Sequence, residues 1–183
     1  NMAALNPSVS EFIANFQGGG ARPNLYEVAL TFPAGIGSPL DSRKASFTCK
    51  AASLPSSNTG LATVPYMGRQ VKMAGDKIFD DWTIQIVNDT DFAVRDAFER
   101  WADAISGHQS NTAAAGFGNP SRYYADATVT QLDREHRAIK SYTFEAIFPL
   151  NVSEITLGYD NNDIVEEFSV LFAVNYWSAR TTT

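Results

Sequence analysis

The sequence EFSVLFAVNY, residues 167–176, places an apolar side chain at every second position from Phe168 onward. Glu167, Ser169 and Asn175 stand between those positions. Because successive side chains of a β-strand point to opposite faces, the pattern predicts a strand with one buried face and one more polar face. It is the longest such stripe in the chain, and we expect it to form the centre of the fold.

Four further segments repeat this period of two. Their apolar positions are Tyr26, Val28, Leu30 and Phe32; Phe47, Cys49 and Ala51; Trp82, Ile84 and Ile86; and Tyr142, Phe144, Ala146 and Phe148. Burying a large apolar side chain contributes about 1.5–3 kcal/mol, so the five stripes can stabilise one core. The sequence therefore predicts a mainly β fold of the sandwich type.

One segment departs from the strand pattern. Between Asp91 and Ser106, apolar residues recur at spacings of three and four, and charged residues fill the other side of the helical wheel. The apolar positions are Phe92, Val94, Phe98, Trp101 and Ile105. This spacing predicts one amphipathic helix over residues 91–106, flanking the strands.

Long irregular segments lie between the predicted elements. Residues 33–42 are rich in Gly and Pro, residues 54–74 carry two prolines and two glycines, and residues 108–120 are rich in small polar residues. Loops as long as 54–74 and 108–120 are uncommon in a compact monomer. We expect them to become ordered against a neighbouring subunit.

Composition excludes several classes of protein. The 183 residues suffice for one domain with a hydrophobic core. The net charge is −6 and the Lys and Arg residues are scattered, which argues against tight nucleic-acid binding. Cys49 is the only cysteine, and no long apolar run or signal segment is present. We expect a protein that folds in a reducing cytoplasm, without membrane contact or disulfide.

No group of residues predicts catalysis or a cofactor. His108 and His136 are the only histidines, and neither lies in a metal-ligand motif. His136 belongs to the charged segment 133–137, which is typical of a solvated hairpin turn. Asp80 and Asp81 are adjacent, so a strand would point them to opposite faces. The sequence therefore predicts a protein that is not an enzyme.

The segment AGDKIFDDWTI, residues 74–84, closely resembles the tail tube family of contractile-tailed bacteriophages. The resemblance continues on both sides in the same order, through ARPNLY (21–26), FTCKA (47–51), VND (87–89), FPLNVSEI (148–155), FSV (168–170) and YW (176–177). It spans nearly the whole chain and rests on the order and separation of these segments.

The resemblance implies a two-sheet antiparallel β-sandwich with one flanking α-helix. It implies that sheets join between subunits into a hexameric β-barrel ring and that rings stack into the conduit through which DNA passes during ejection. Residues 1–21 would form an N-terminal arm and residues 22–183 a single tail tube domain, made in the host bacterial cytoplasm and built into the virion. The segment 54–74 would be an extended loop for stacking.

Three sets of residues follow as candidates. Ring stacking is expected of the N-terminal arm and of Tyr66, Met67, Gly68 and Arg69. The polar strand faces are candidates for the lumen wall, with an ordinary wet exterior as the alternative: Thr48, Lys50, Thr83, Gln85, Thr143 and Glu145. The outward face of the helix is the candidate sheath contact, with a solvated face as the alternative: Arg95, Asp96, Glu99 and Asp103.

The expected partners are further copies of the chain, the tail sheath protein, the tape measure protein, and the baseplate and tail terminator proteins. DNA would pass through the lumen without specific binding, and no cofactor is expected. Two alternatives remain open from the sequence. One is a tube subunit of a related contractile machine, such as a bacteriocin particle or a secretion system. The other is a monomeric ligand-binding β-barrel.

Overall fold

The computed structural model describes residues 22–107, 110–158 and 164–179, together with Val9 and Glu11. Most of the predicted N-terminal arm, residues 1–21, lies outside the described residues, as do His108 and residues 181–183.

The fold is mainly β, as predicted, with antiparallel strands and few helices. The strands are β1 Tyr26–Leu30, β2 Cys49–Ala52, β3 Ser57–Tyr66, β4 Arg69–Phe79, β5 Trp82–Val87, β6 Ala125–Leu132, β7 Ala138–Val152, β8 Glu167–Ala173 and β9 Tyr176–Ala179. Between residues 22 and 179, the described helices are α1 Pro39–Thr48, α2 Ala93–Ile105 and the short α3 Pro120–Tyr123.

Seven strands form one sheet in the order β1-β6-β7-β8-β5-β2, with β9 added beside β7. The long strand β7 belongs to two parts of this sheet. Its first half pairs with β6 and β9, and its last residues pair with β8. We call β1, β6, β9 and the first half of β7 the β6 part, and β2, β5, β8 and the end of β7 the β8 part. The two predicted sheets are thus two parts of one sheet.

The two parts enclose the core. The cross-strand partners Trp82 and Phe172, Ile84 and Val170, and Ile86 and Phe168 point inward from the β8 part, and all are buried. Helix α2 packs on these side chains, with the ring of Phe98 6.0 Å from that of Phe172 and Trp101 fully buried. Phe144 points inward from the β6 part. The period-two stripes therefore predicted these inward faces correctly.

The predicted helix 91–106 is confirmed in the shorter range of α2. It begins at Ala93 because Phe92 has a left-handed backbone, φ 54°, and Asp91 Oδ1 accepts a hydrogen bond from the Ala93 N–H at 3.1 Å. Phe92 consequently leaves the buried stripe and is 41% exposed.

Two predictions for residues 33–51 were wrong. Residues 39–48 form α1, so the fold has more than one flanking helix and the predicted strand begins only at Cys49. Ser38 and Asp41 form a capping box at the start of α1, and Pro39 fits its first turn. Thr48 is helical, and its hydroxyl donates to the Lys44 carbonyl at 2.9 Å. Its assignment to an alternating strand face is therefore corrected.

The stripe over residues 168–176 is divided between two strands. Strand β8 ends at Ala173 in the β8 part, and β9 begins at Tyr176 in the β6 part. The chain crosses between the two parts at Val174 and Asn175, where the Asn175 side-chain amide donates to the Ala146 carbonyl at 2.8 Å. A continuous sequence pattern does not reveal this crossing.

A bulge interrupts β7 at Ala146, which has a φ of 54°. Its N–H donates to the Asp126 carboxylate at 3.1 Å. The pairing shifts there, so that Ala127 lies opposite Phe144 while Ala125 lies opposite Ile147. Ile147 is buried instead of Ala146, and the predicted alternation through Phe148 is wrong beyond this point.

Residues 57–79 form a long hairpin, β3 and β4, whereas the sequence predicted an irregular loop over residues 54–74. Met67 and Gly68 make its two-residue turn with positive φ values of 47° and 78°, the combination typical of a type I′ turn. Gly60 and Gly75 lie at the register shift, and a Cβ on Gly75 would lie 3.0 Å from the Gly60 backbone. Two glycines therefore permit the close strand contact there.

Candidate assembly surfaces

The hairpin presents an apolar face to solvent. The pairs Ala62 with Met73, Val64 with Val71, and Tyr66 with Arg69 share one face of β3 and β4. The exposed fractions are 64% for Tyr66, 54% for Met73, 46% for Val64 and 42% for Val71. In the described chain, β3 and β4 pair only with each other. Exposed apolar faces of this kind mark interaction surfaces.

Contacts at the base fix the hairpin to the domain. The indole N–H of Trp177 donates to the Ser56 carbonyl at 3.2 Å, and the Phe79 ring meets the Trp177 ring edge-on at 6.1 Å. The Asn58 amide donates to Asp80 Oδ1 at 3.0 Å. Isolated two-stranded hairpins are marginally stable in water, so these contacts hold the strands in place. The candidate stacking residues Tyr66, Met67, Gly68 and Arg69 all lie together at the tip.

The candidate lumen residues do not share one surface. Trp82 and Phe144 point inward from different parts of the sheet, and their rings stack with centroids 4.4 Å apart. By alternation, Thr83 and Gln85 then lie on the outward face of the β8 part, and Thr143 and Glu145 on that of the β6 part. Lys50 lies on β2, at the edge of the β8 part, and pairs with Glu167 at 2.5 Å. These outward faces are turned away from each other.

The outward face of the β6 part consists mostly of small, polar or acidic side chains, apart from Ile139, which is 54% exposed at the start of β7. By register they are Glu27, Ala29, Asp126, Thr128, Thr130, Ser141, Thr143, Glu145, Tyr176 and Ser178. Hydrogen bonds link them: Thr130 Oγ1 lies 3.0 Å from Ser141 Oγ, and the Tyr176 hydroxyl donates to the Glu145 carboxylate. The latter bond raises the pKa of Tyr176. None of the residues named here for this face is Lys or Arg.

The sequence reasoning missed most of this face. Thr128 and Thr130 alternate with buried Ala127 and Val129, which was a usable signal. Ser178 was not predicted to lie on this face, because the sequence pattern placed the start of β9 in the same strand as β8. Among the described residues, the outer edges of β1 and β9 pair with no further strand. The β6 part is thus a four-stranded sheet segment with both edges open.

The outward face of α2 is mainly acidic. The exposed Arg100 also lies on it and donates to the Ile36 carbonyl at 3.2 Å. Asp96, Glu99 and Asp103 are exposed at spacings of three and four residues. Arg95 differs from them because only 17% of its side chain is exposed. Its guanidinium bonds to Glu99 at 2.8 Å and to the Ser153 carbonyl at 3.1 Å, over the ring of Phe168. Arg95 therefore ties α2 to the end of β7.

The titratable groups of the described chain that could carry a reaction or bind a metal are Cys49, His136 and the carboxylates. Burial raises the pKa of the Cys49 thiol to about 11, so the thiol is neutral at physiological pH. His136 is exposed in the turn between β6 and β7, as predicted. Within the described residues, no three His, Cys, Asp or Glu side chains are grouped so that they could hold a metal ion. None of the described helices is long and apolar enough to cross a membrane.

The packing of the interior argues against the alternative of a monomeric ligand-binding β-barrel. A barrel that takes up a small apolar molecule keeps space between its walls. Here the rings of Trp82, Phe144 and Phe172 stack between the two parts, with centroid distances of 4.4 and 5.5 Å. The aromatic side chains occupy the centre of the molecule.

The chain is similar to known proteins over most of its length. A family model described as phage tail tube protein matches residues 21–180. The tail tube protein gp19 of Enterobacteria phage T4 is 33% identical over 158 residues, covering 86% of this chain and 90% of the relative. The tail tube protein of Serratia phage KSP90 is 27% identical over 164 residues, covering 88% and 91%.

A solved structure shares the fold. It is a chain of an extracellular contractile injection system, from the PVC sheath/tube terminator in its extended state. The TM-score is 0.63 at 12% identity, with 88% of this chain and 96% of that chain covered. The sequence matches to phage proteins, together with this fold, settle the family. The chain belongs to the phage tail tube protein family and is a structural subunit of a phage tail tube, a component of the virion.

Proposed function

We propose that the chain forms hexameric rings in which the β6 parts of neighbouring copies join through their β1 and β9 edges into a continuous barrel. The observation that carries this proposal is the four-stranded β6 part with two open edges and a polar outward face. Open edges invite strand pairing with another chain, and closure into a ring removes them. Stacked rings then form the conduit for DNA in a contractile tail.

The outward face of the β6 part lines the channel in this proposal. Among the described residues, its charged side chains are Glu27, Asp126 and Glu145, and they repel the DNA phosphates over about 8 Å at physiological salt. DNA then slides through without binding. Of the candidate lumen residues, Thr143 and Glu145 belong to this wall. Lys50, Thr83 and Gln85 lie on the other outward face.

Two further surfaces complete the proposal. The hairpin tip, Tyr66 to Arg69, stacks one ring on the next, together with the N-terminal arm. The acidic face of α2 meets a basic surface of the tail sheath protein, since opposite charges steer and orient such contacts. The tube ends contact the baseplate and tail terminator proteins, and the tape measure protein occupies the lumen before DNA does.

Electron microscopy of the purified full-length chain tests this function. We expect hexameric rings with a central channel, and tubes of stacked rings at higher concentration. A chain that remains monomeric by light scattering at high protein concentration would overturn the proposal.

A further inference from the structure

The hairpin lies at one end of the strand pair β5 and β8, and the connection from β7 to β8 lies at the other. Trp82, which begins β5 next to the hairpin base, pairs with Phe172, while Val87 at the far end pairs with Glu167. The six residues of β5 separate the two ends by about 17 Å at about 3.3 Å per residue. We call residues 153–158 and 164–166 the rim loop.

The rim loop exposes large apolar side chains. The exposed fractions are 77% for Leu157, 71% for Ile164 and 60% for Val165. Phe92, 41% exposed, borders the same small cavity as Val165 and extends this patch towards α2. The hairpin and the rim loop thus expose apolar side chains at opposite ends of the domain.

The charges of the two surfaces are complementary. The hairpin carries Arg69, Lys72 and Lys77 against the single acidic residue Asp76. The described rim loop carries Glu154 and Glu166 and no Lys or Arg. Glu166 accepts a hydrogen bond from the Asn88 amide at 3.1 Å, whereas Glu154 is exposed beside the apolar patch. Complementary charge around apolar contacts fixes the register of an interface.

We infer that the rim loop is the surface that receives the hairpin of a second copy of this chain. Two different, complementary patches at opposite ends of one molecule produce a head-to-tail contact that repeats without closing, as a growing stack requires. The inference rests on the proposed stacking of rings and adds the receiving surface, which the sequence motifs did not identify.

Two variants and a control test the inference. The hairpin variant carries Tyr66→Ser and Arg69→Ser, and the rim variant carries Glu154→Lys and Leu157→Ser. Leu40→Ser is the matched control, because Leu40 is 72% exposed on α1 and belongs to neither surface. We expect each double variant to form single rings without tubes, and the control to form tubes of normal length.

Mixing the two variants gives the decisive result. An intact hairpin on the rim variant meets an intact rim loop on the hairpin variant, so the mixture should yield stacks of two rings and nothing longer. Normal tubes from the rim variant alone, or single rings only in the mixture, would overturn the inference. If the rim double variant forms no rings, the single variant Val165→Ser is used in its place. It should form single rings alone and stacks of two rings in the mixture. If the unchanged chain forms no tubes, the proposed function itself fails.

Discussion

The indole of Trp82 stacks on the ring of Phe144 with centroids 4.4 Å apart and planes inclined by 22°. Each residue is 1% exposed. Since Trp82 belongs to the β8 part and Phe144 to the β6 part, this contact joins the two parts across the core. It also determines which neighbours on each strand face outward, and so which residues are available for a channel wall.

Replacing Phe144 with Ala should destabilise the domain by about 3–5 kcal/mol, because the change removes a stacked ring and leaves a cavity. Chemical denaturation followed by far-ultraviolet circular dichroism measures the effect. Thr143→Ala, the neighbouring residue on the outward face, should change the free energy of unfolding by less than about 0.5 kcal/mol. A loss below about 1 kcal/mol for Phe144→Ala would contradict the central position of the contact.

Ala146→Gly should stabilise the domain by up to about 1 kcal/mol. The left-handed backbone at Ala146 costs an alanine about 1–2 kcal/mol that glycine avoids, partly offset by the greater freedom of glycine in the unfolded chain. Ala127→Gly is the matched control in the paired strand, and it should be destabilising because Ala127 is a buried strand residue. Equal destabilisation by both substitutions in thermal unfolding would argue against the bulge.

Cys49 should react slowly with iodoacetamide in the folded chain, with a rate that rises towards a midpoint near pH 11. Burial disfavours the thiolate, so the unfolded chain should show a midpoint near its ordinary value of about 8.5. Because the pKa of Cys49 is higher in the folded chain than in the unfolded chain, the free energy of unfolding is unaffected by this thiol below the unfolded pKa. It decreases as pH rises from the unfolded pKa through the folded pKa. A midpoint near pH 8.5 in the folded chain would contradict the burial of Cys49.

Two threonine-to-lysine substitutions test the channel wall. Thr143→Lys should slow DNA ejection from reconstituted particles, because it places a ring of positive charges on the face proposed to line the lumen. Thr83→Lys is the matched control on the other outward face and should leave ejection unchanged. The reverse result would move the channel to the β8 part.

The sequence predicted the inward faces of β1 and β5 well, but the stripe predicted for β2 was wrong. Phe47 is helical and 76% exposed, and a register shift in β2 places Ala52 instead of Ala51 opposite Ile84. Val28 and Leu30, and the apolar positions of β5, are buried as their alternation indicates. The pattern failed where the chain bends or crosses. The bulge at Ala146 and the crossing at Asn175 depend on hydrogen bonds from distant segments, and these leave no periodic signal.

Helix α1 was missed for a different physical reason. Only Ala45 among its ten residues is buried, so it has no apolar stripe to recognise. The capping residues Ser38, Pro39 and Asp41 were its one available signal. In the hairpin, alternation in β3 and β4 was present, but prolines and glycines favoured a loop. The Met67–Gly68 turn also lacks the usual Asn-Gly or Asp-Gly signal.

The candidate surfaces also differ in how far sequence could identify them. Local sequence sufficed to group Tyr66 to Arg69, and Asp96 with Glu99 and Asp103, because each set lies within one short segment of the chain. The hairpin around the first set was not predicted, and the assembly role of both sets stays a prediction. The polar wall could not be assembled from sequence, since Thr83 and Thr143 have the same alternating environment and only the three-dimensional stacking of Trp82 on Phe144 separates them. The rim loop lacks a periodic pattern and became visible only through its position opposite the hairpin.

A cryo-electron microscopy reconstruction of tubes grown from the purified chain tests the central claim most directly. We expect hexameric rings in which β1 of one subunit pairs with β9 of the next and Thr143 faces the channel. A reconstruction in which Thr83 faces the channel, or in which the β1 and β9 edges remain unpaired between subunits, would contradict the account.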